Sequence, residues 1–272
     1  MTIVFTDLDG SLLDADTYSW EPARPALDLL ARQGVPWVMV SSKTRSEIEE
    51  LREDIGHPHP FVVENGGAAY IPQGYFGFPV DNVVMRDGYE VLEWGTPYAQ
   101  LVAGLREVSN EECCPVTGFH DMTIEEVAGI TGLSHDAAAK AKQREYDEPF
   151  VIANQRRAGD LLNALLRAGL RWTHGGRFHH VCGNNDKSTA VRALLDLFRR
   201  QHGPVRSIAL GDSLNDLPMM QAVDLPVLVK SRRRPSIHFR SIGARYTRSS
   251  GAKGWNEAIL DLLSESAQPA HR

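Results

Sequence analysis

The 272 residues carry 42% hydrophobic and 24% charged side chains, which is the balance of a globular chain with a sizeable core and excludes a disordered or fibrous one. Lys and Arg number 29 against 35 Asp and Glu, so the net charge is −6 and the basic surplus of a general nucleic-acid binder is missing. Three cysteines, Cys113 beside Cys114 and Cys182 far away, make neither a disulfide framework nor a C-x-x-C metal site; reduced thiols in a reducing cytosol are expected.

No apolar stretch approaches the ~18 residues of a membrane span. No basic segment or small-residue cleavage site precedes the first apolar run, so a cytoplasmic protein without membrane association is expected. Ile3–Phe5 predicts a strand that delivers Asp7 to its C-terminal end. A helix is predicted from about Pro22, with Leu27, Leu30 and Ala31 on one face and Gly34 as its stop. Trp37–Val40 is a continuous apolar run, as in a strand buried on both faces of a parallel sheet. Thr44-x-x-Glu47 is a capping box that opens a helix carrying Ile48, Leu51 and Ile55. Phe61–Val63 predicts a third strand, ending on Glu64-Asn65-Gly66-Gly67.

After Gly67 aromatics, Gly and Pro crowd Tyr70–Val80, as where a chain leaves one module for another. Beyond it lie a strand-like run Val83–Trp94, a helix from Pro97, capped short helices at Thr123 and Ser134, a strand Phe150–Ala153 and a helix through Leu161, Leu162, Leu165 and Leu166. From Asp186 the α/β rhythm returns, with a helix through Val191, Leu194, Leu195 and Phe198 and a strand Ser207–Leu210 that ends at Gly211-Asp212. A helix near Asn215 and a strand Leu225–Val229 follow. The expectation is an α/β protein with a parallel-sheet core, residues 1–82 and 183–272, and an α+β cap inserted at 83–182.

The strands before Asp7, Ser41 and Asp212 should end at one edge of that sheet, where open α/β sheets bind ligands. Asp7-Leu8-Asp9-Gly10-Ser11 and Gly211-Asp212-Ser213-Leu214-Asn215-Asp216 then bring four carboxylates to the mouth. Two unit charges 4 Å apart repel by roughly 4 kcal/mol at an effective dielectric near 20, so four such groups either protonate or hold a hard cation. All-oxygen donors without nearby Cys or His favour Mg²⁺ over Zn²⁺. Asp-Gly alone is a common turn and Gly-Asp-Ser-Leu-Asn-Asp alone a helix start; each placed after an apolar strand, together they point to a site. A phosphomonoester suits that site, because Asp7 can attack phosphorus and Asp9 can move the proton of the leaving alkoxide.

These two motifs, with Ser41 and Lys187, resemble in their order the four motifs of the haloacid-dehalogenase-like (HAD) phosphatases. The interval from Ser41 to Lys187 far exceeds the ~30 residues of a simple βαβ unit, and this resembles the subgroup with a C2-type cap. Ser41-Ser42-Lys43-Thr44-Arg45, Glu64-Asn65-Gly66-Gly67, Gly118 to Thr123, Arg144-Glu145-Tyr146-Asp147-Glu148 and Thr173 to Phe178 look like the mannosyl-3-phosphoglycerate phosphatase family. The resemblance implies Asp7 as nucleophile and Asp9 as general acid/base. It implies Mg²⁺ on Asp7, the Asp9 carbonyl, Asp212 and Asp216, and phosphate on Ser41, Lys187 and Asn215.

It also implies a phosphorylated glycosyl-glycerate as the small-molecule partner, with no nucleic acid. Lys43, Arg144 and Arg177 are then candidates for the glycerate carboxylate and Asn65, Glu145 and His179 for the sugar, with Gly67 also expected at the substrate. Ser11, Ser188 and His120 depart from the family's usual Thr, Gly and Gly. Glucosyl-3-phosphoglycerate or another sugar phosphate is the rival substrate; a phosphomutase and a non-catalytic phosphosugar sensor are the rival classes. His57-Pro58-His59 has too few partners for a metal site and reads as a loop, Arg232-Arg233-Arg234 reads as a solvated loop, and the vicinal cysteines lack a basic neighbour for redox work.

Overall fold

The computed structural model describes residues 1–175, 178–231 and 236–267. Along the chain come β1 (Thr2–Thr6), α1 (Arg24–Gln33), β2 (Trp37–Val40), α2 (Arg45–Ile55), β3 (Phe61–Val63) and β4 (Ala68–Pro72). Next are β5 (Val84–Arg86), β6 (Tyr89–Glu93), α3 (Tyr98–Glu111), β7 (Val116–Gly118), α4 (Ile124–Thr131) and α5 (His135–Ala141). β8 (Asp147–Ile152), α6 (Ala158–Arg167), β9 (Arg171–Gly175), β10 (Phe178–Cys182) and α7 (Lys187–His202) follow. The last are β11 (Arg206–Gly211), α8 (Leu217–Gln221), β12 (Leu225–Lys230), α9 (Ile237–Ser241), β13 (Arg245–Ser250) and α10 (Gly251–Ala267). The chain divides into two compact units, one of Met1–Ser41, Phe76–Pro79 and Val191–Arg272, the other of Ser42–Tyr75 and Val80–Ala190.

In the first unit β13, β12, β11, β1 and β2 lie side by side in that order, all parallel. Ile3, Val4, Phe5 and Val38–Val40 are wholly buried, which is why their sequences run apolar without alternation. Thr6 is the polar interruption in β1, and its Oγ1 accepts from the indole N–H of buried Trp255 at 2.8 Å. Trp255 belongs to α10, which packs on α1, β12 and β13. β13 and α10 lie beyond the last element that the apolar rhythm marked. The predicted start near Asn215 is a single 3₁₀ turn, Leu214–Asp216, before α8.

The second unit contains two antiparallel sheets. β3, β4, β6 and β5 make the first, in that order. The strand-like run Val83–Trp94 is a hairpin, because Asp87 and Gly88, at φ 49° and 82°, form a left-handed two-residue turn. Tyr70, expected in an irregular exit, lies in β4, wholly buried and stacked on Phe61 at 5.2 Å. β7, β8, β10 and β9 make the second sheet. Side chains alternate across it: Phe150 and Val181 pack under α3 and α6, while Val151 and Phe178 pack against α4 and α5. Burying a side chain such as Phe150 stabilises the unit by about 2–3 kcal/mol.

Candidate active site

Asp7 leaves the end of β1 with its N–H on the Leu210 carbonyl at 2.9 Å, which ties it to the end of β11. The Leu8 carbonyl then accepts from the N–H groups of Ser11 and Leu13 at 3.1 and 2.8 Å, so the chain curls back over the strand end. Carboxylate oxygens of Asp7, Asp212 and Asp216 gather within 4.8 Å of one another. Asp7 is 5% exposed and Asp216 is fully buried, so charge there is poorly screened and a pair repels by roughly 3–4 kcal/mol. Asp216 Oδ2 is partly satisfied by the N–H groups of Asp212 and Ser213 at 3.0 and 3.1 Å.

Two glycines make the cluster possible. A Cβ on Gly10, at φ 79°, would lie 2.8 Å from Asp212 Oδ2, and one on Gly211 would lie 2.6 Å from Asp216 Oδ2. An all-carboxylate donor set in so close a cradle fits a hard divalent cation such as Mg²⁺. The half-buried Asp9 side chain lies outside this trio, so three of the four expected carboxylates are gathered there. Ser41 follows β2 and is 1% exposed; Asn215, in the 3₁₀ turn, accepts from the Ser213 hydroxyl.

The second unit holds the other candidates and sorts them differently. Thr44 caps α2, accepting from the Glu47 N–H while Glu47 Oε2 accepts from the Thr44 N–H at 2.9 Å, as the capping box predicts. Lys43 Nζ lies 3.4 Å from Glu47 Oε1. Burial alone would raise the Glu47 carboxyl, yet Lys43 and Arg144 hold it below its ordinary value. Arg144, expected at a substrate carboxylate, is buried: its Nη1 donates to the Ser42 carbonyl at 2.7 Å and its Nη2 lies 3.7 Å from Asp147 Oδ1. Glu145 accepts from Arg86 at 2.6 Å and from the Tyr70 hydroxyl at 3.2 Å. Gly67 packs on Tyr146, whose Cβ would lie 2.4 Å from a Cβ added there.

His179 stands against His174 at 4.8 Å and Phe150 at 5.6 Å, on the face of the β7–β10 sheet shared with Val181. Lys187 opens α7 and is 1% exposed. Arg177 and the Arg232–Arg234 run lie outside the described residues. Asn65 and Arg144 are thus brought together, whereas Glu145 joins the Arg86 cluster and His179 the His174 pair.

What gathers Asn65 and Arg144 is Asp147, to which sequence reasoning assigned no role. It is wholly buried, accepting from Asn65 Nδ2 at 2.7 Å, with His180 Nδ1 2.8 Å from its other oxygen. Burial would raise its pKa, but His180, Arg144 and Asn65 hold it below the ordinary value. An acid within the motif from Arg144 to Glu148 was the available signal; its burial was not legible. Glu64, also unassigned, accepts from the Glu145 and Tyr146 N–H groups at 2.9 and 2.7 Å. Burial pushes its carboxyl up to about 8, with Arg144 opposing and Asp147 reinforcing.

A folded pKa above the unfolded value of 4.5 means that Glu64 stabilises the fold fully below that pH and progressively less as pH climbs to about 8. The thermal midpoint should therefore fall along this limb, and Glu64→Gln should flatten it. An identical alkaline limb in the variant would assign the loss to other groups.

A parallel sheet with carboxylates converging at its edge defines a class, and residues 4–77 and 162–235 match that class, the haloacid dehalogenase-like hydrolases. A glucosyl-3-phosphoglycerate/mannosyl-3-phosphoglycerate phosphatase of Methanococcoides burtonii is 43% identical over 268 residues, 97% of this chain and 98% of the relative. A mannosyl-3-phosphoglycerate phosphatase of Pyrococcus furiosus is 40% identical over 231 residues, 85% of this chain and 92% of the relative. Among solved structures, the sucrose-phosphatase of a Synechocystis species superposes with a TM-score of 0.62 at 14% identity, over 96% of this chain and 98% of that one. A haloacid dehalogenase-like hydrolase from Bacteroides thetaiotaomicron gives 0.66 at 16% identity, over 96% and 99%. The chain belongs to the mannosyl-3-phosphoglycerate phosphatase family of the haloacid dehalogenase-like hydrolases.

Proposed function

We propose that this chain is a Mg²⁺-dependent phosphatase that converts mannosyl-3-phosphoglycerate to mannosylglycerate and inorganic phosphate, with glucosyl-3-phosphoglycerate as the second substrate. The observation that carries the reading is the 43% identity, over nearly the whole chain, to a relative named for both substrates. The cluster of Asp7, Asp212 and Asp216 supports the chemistry. Residues 1–82 and 183–272 form the catalytic core in this reading and 83–182 the cap. The setting is the cytoplasm and the product a compatible solute; among the described residues no helix is long and apolar enough to cross a membrane.

The reaction divides into two displacements at phosphorus. An Asp7 oxygen attacks, forming an aspartyl phosphate as the bond to the glycerate oxygen breaks, and Asp9 gives that oxygen its proton. Asp9 then takes a proton from water, whose oxygen displaces the Asp7 carboxylate and releases phosphate. The Ser41 hydroxyl, the Asn215 amide and the Lys187 ammonium donate to the phosphoryl oxygens. Asp7, the Asp9 carbonyl, Asp212 and Asp216 would hold Mg²⁺, which when bound neutralises phosphoryl charge. Lys43 and Arg177 are the proposed cations for the glycerate carboxylate.

A kinetic panel of glycosyl-3-phosphoglycerates, simple sugar phosphates and an aryl phosphate tests the assignment. The two glycosyl-3-phosphoglycerates should exceed the others in kcat/KM by about 10-fold or more, the worth of one charge-assisted contact. Equal values across the panel would sink the substrate assignment, and a required phosphorylated donor would mark a mutase. Chelation should abolish activity and Mg²⁺ restore it. Full turnover by enzyme shown to be metal-free would end the metal reading.

A further inference from the structure

We propose that Asp147 is a positioning residue for Lys187, acting through the Asn65 side chain and a strained turn of the backbone. The proposal rests on the reading of Lys187 as a phosphate-binding group. Glu64, Asn65 and Gly66 have φ of 46°, 57° and 89°, three consecutive residues in the left-handed region. Glycine adopts it freely and asparagine tolerates it, but glutamate is disfavoured there, so the turn persists only if its surroundings over-determine it.

Those surroundings come from the segment 144–148. The Glu64 carboxyl oxygens accept from the N–H groups of Glu145 and Tyr146, at 2.9 and 2.7 Å. The Asn65 amide donates to Asp147 Oδ2 at 2.7 Å. Asp147 has no solvent exposure and is itself fixed from two further sides, by His180 Nδ1 at 2.8 Å and by Arg144 at 3.7 Å. A charged acceptor held this way locks the Asn65 rotamer, and with it the turn.

The turn bears on the start of α7. A Cβ on Gly66 would lie 2.1 Å from the Asp186 carbonyl oxygen and 3.0 Å from the Lys187 nitrogen, so the peptide that leads into Lys187 rests directly on the turn. The Asn185 amide reaches the Asn65 carbonyl at 3.5 Å, a second contact between the same two segments. Asp186 Oδ1 accepts from the N–H groups of Ser188 and Thr189 at 2.8 and 3.1 Å, which fixes where the helix begins. Lys187 is the first residue of that helix and is 1% exposed, so a shift of the helix start moves its ammonium with little room to compensate. Asp147, Asn65, Gly66 and the Asp186–Lys187 peptide therefore form one unbroken line of contacts.

Asn65→Gly is the discriminating variant, because glycine keeps the left-handed backbone accessible while the link to Asp147 is lost. Its thermal midpoint should fall by only a few degrees, as the loss of one hydrogen bond to a buried carboxylate requires. Calorimetric affinity for inorganic phosphate should weaken about 10-fold, and kcat should fall in parallel on mannosyl-3-phosphoglycerate and on a small aryl phosphate. Asp147→Ala should act in the same direction, and Asp147→Asn, which keeps an acceptor for Asn65, should recover part of the loss. In a Lys187→Met background Asn65→Gly should change phosphate affinity less than about 2-fold, since the end of the line is gone. Equal losses in both backgrounds, or wild-type phosphate affinity in Asn65→Gly, would overturn the proposal. Unchanged phosphate affinity in Lys187→Met alone would instead overturn the reading of Lys187 on which it rests.

Discussion

Asp7→Asn should lower kcat by about 10⁴-fold or more and leave no phosphoryl-enzyme in an acid-quenched reaction, because an amide does not attack phosphorus as a carboxylate does. The motivation is its place: the Asp7 N–H is held by Leu210 at the end of β11, and its carboxylate joins Asp212 and Asp216 within 4.8 Å. The same substitution removes one of three mutually repelling charges. The metal-free variant should therefore melt higher than the metal-free wild type, which separates a chemical defect from a damaged fold. Substantial turnover through a labelled phosphoryl-enzyme in the variant would take the nucleophile away from Asp7.

The second large effect is expected at Asp9. Asp9→Asn should slow each proton transfer by roughly 10²- to 10⁴-fold while phosphate still binds. The two half-reactions separate by choice of leaving group. An aryl phosphate with an acidic phenol needs little protonation, so its first displacement should proceed and the aspartyl phosphate should accumulate on Asp7. Mannosyl-3-phosphoglycerate carries an alkoxide leaving group and should stall before that point. Equal slowing of the first step on both substrates would show that Asp9 does not supply the proton.

The α/β pattern was legible wherever burial acts on contiguous residues. Ile3–Phe5 and Trp37–Val40 read as buried parallel strands because both faces of each are covered, and β1 and β2 are those strands. Thr44-x-x-Glu47 read as a capping box because its bonds span three residues, and both are present. The Asp87-Gly88 turn is equally local, yet the apolar run around it masked the hairpin. β13 and α10 were not marked, since α10 takes its place from packing on α1, β12 and β13.

For the site, the sequence by itself marked the candidate reacting groups. An acid pair after an apolar strand and a second acid pair after Gly211 point to a cation-binding site, because charge and hydrogen-bonding capacity belong to the residue type. Only the tertiary structure decided which polar residues serve the protein's own frame. Arg144 and Asn65 carry groups suited to a substrate, but Arg144 bonds Ser42 across 102 residues and Asn65 bonds Asp147 across 82. Asp147 shows the reason most plainly: nothing in its neighbours along the chain says that it is buried. Burial removes competing water, and it is this that turns an ordinary surface-type residue into the fixed acceptor around which Asn65, Arg144 and His180 arrange themselves.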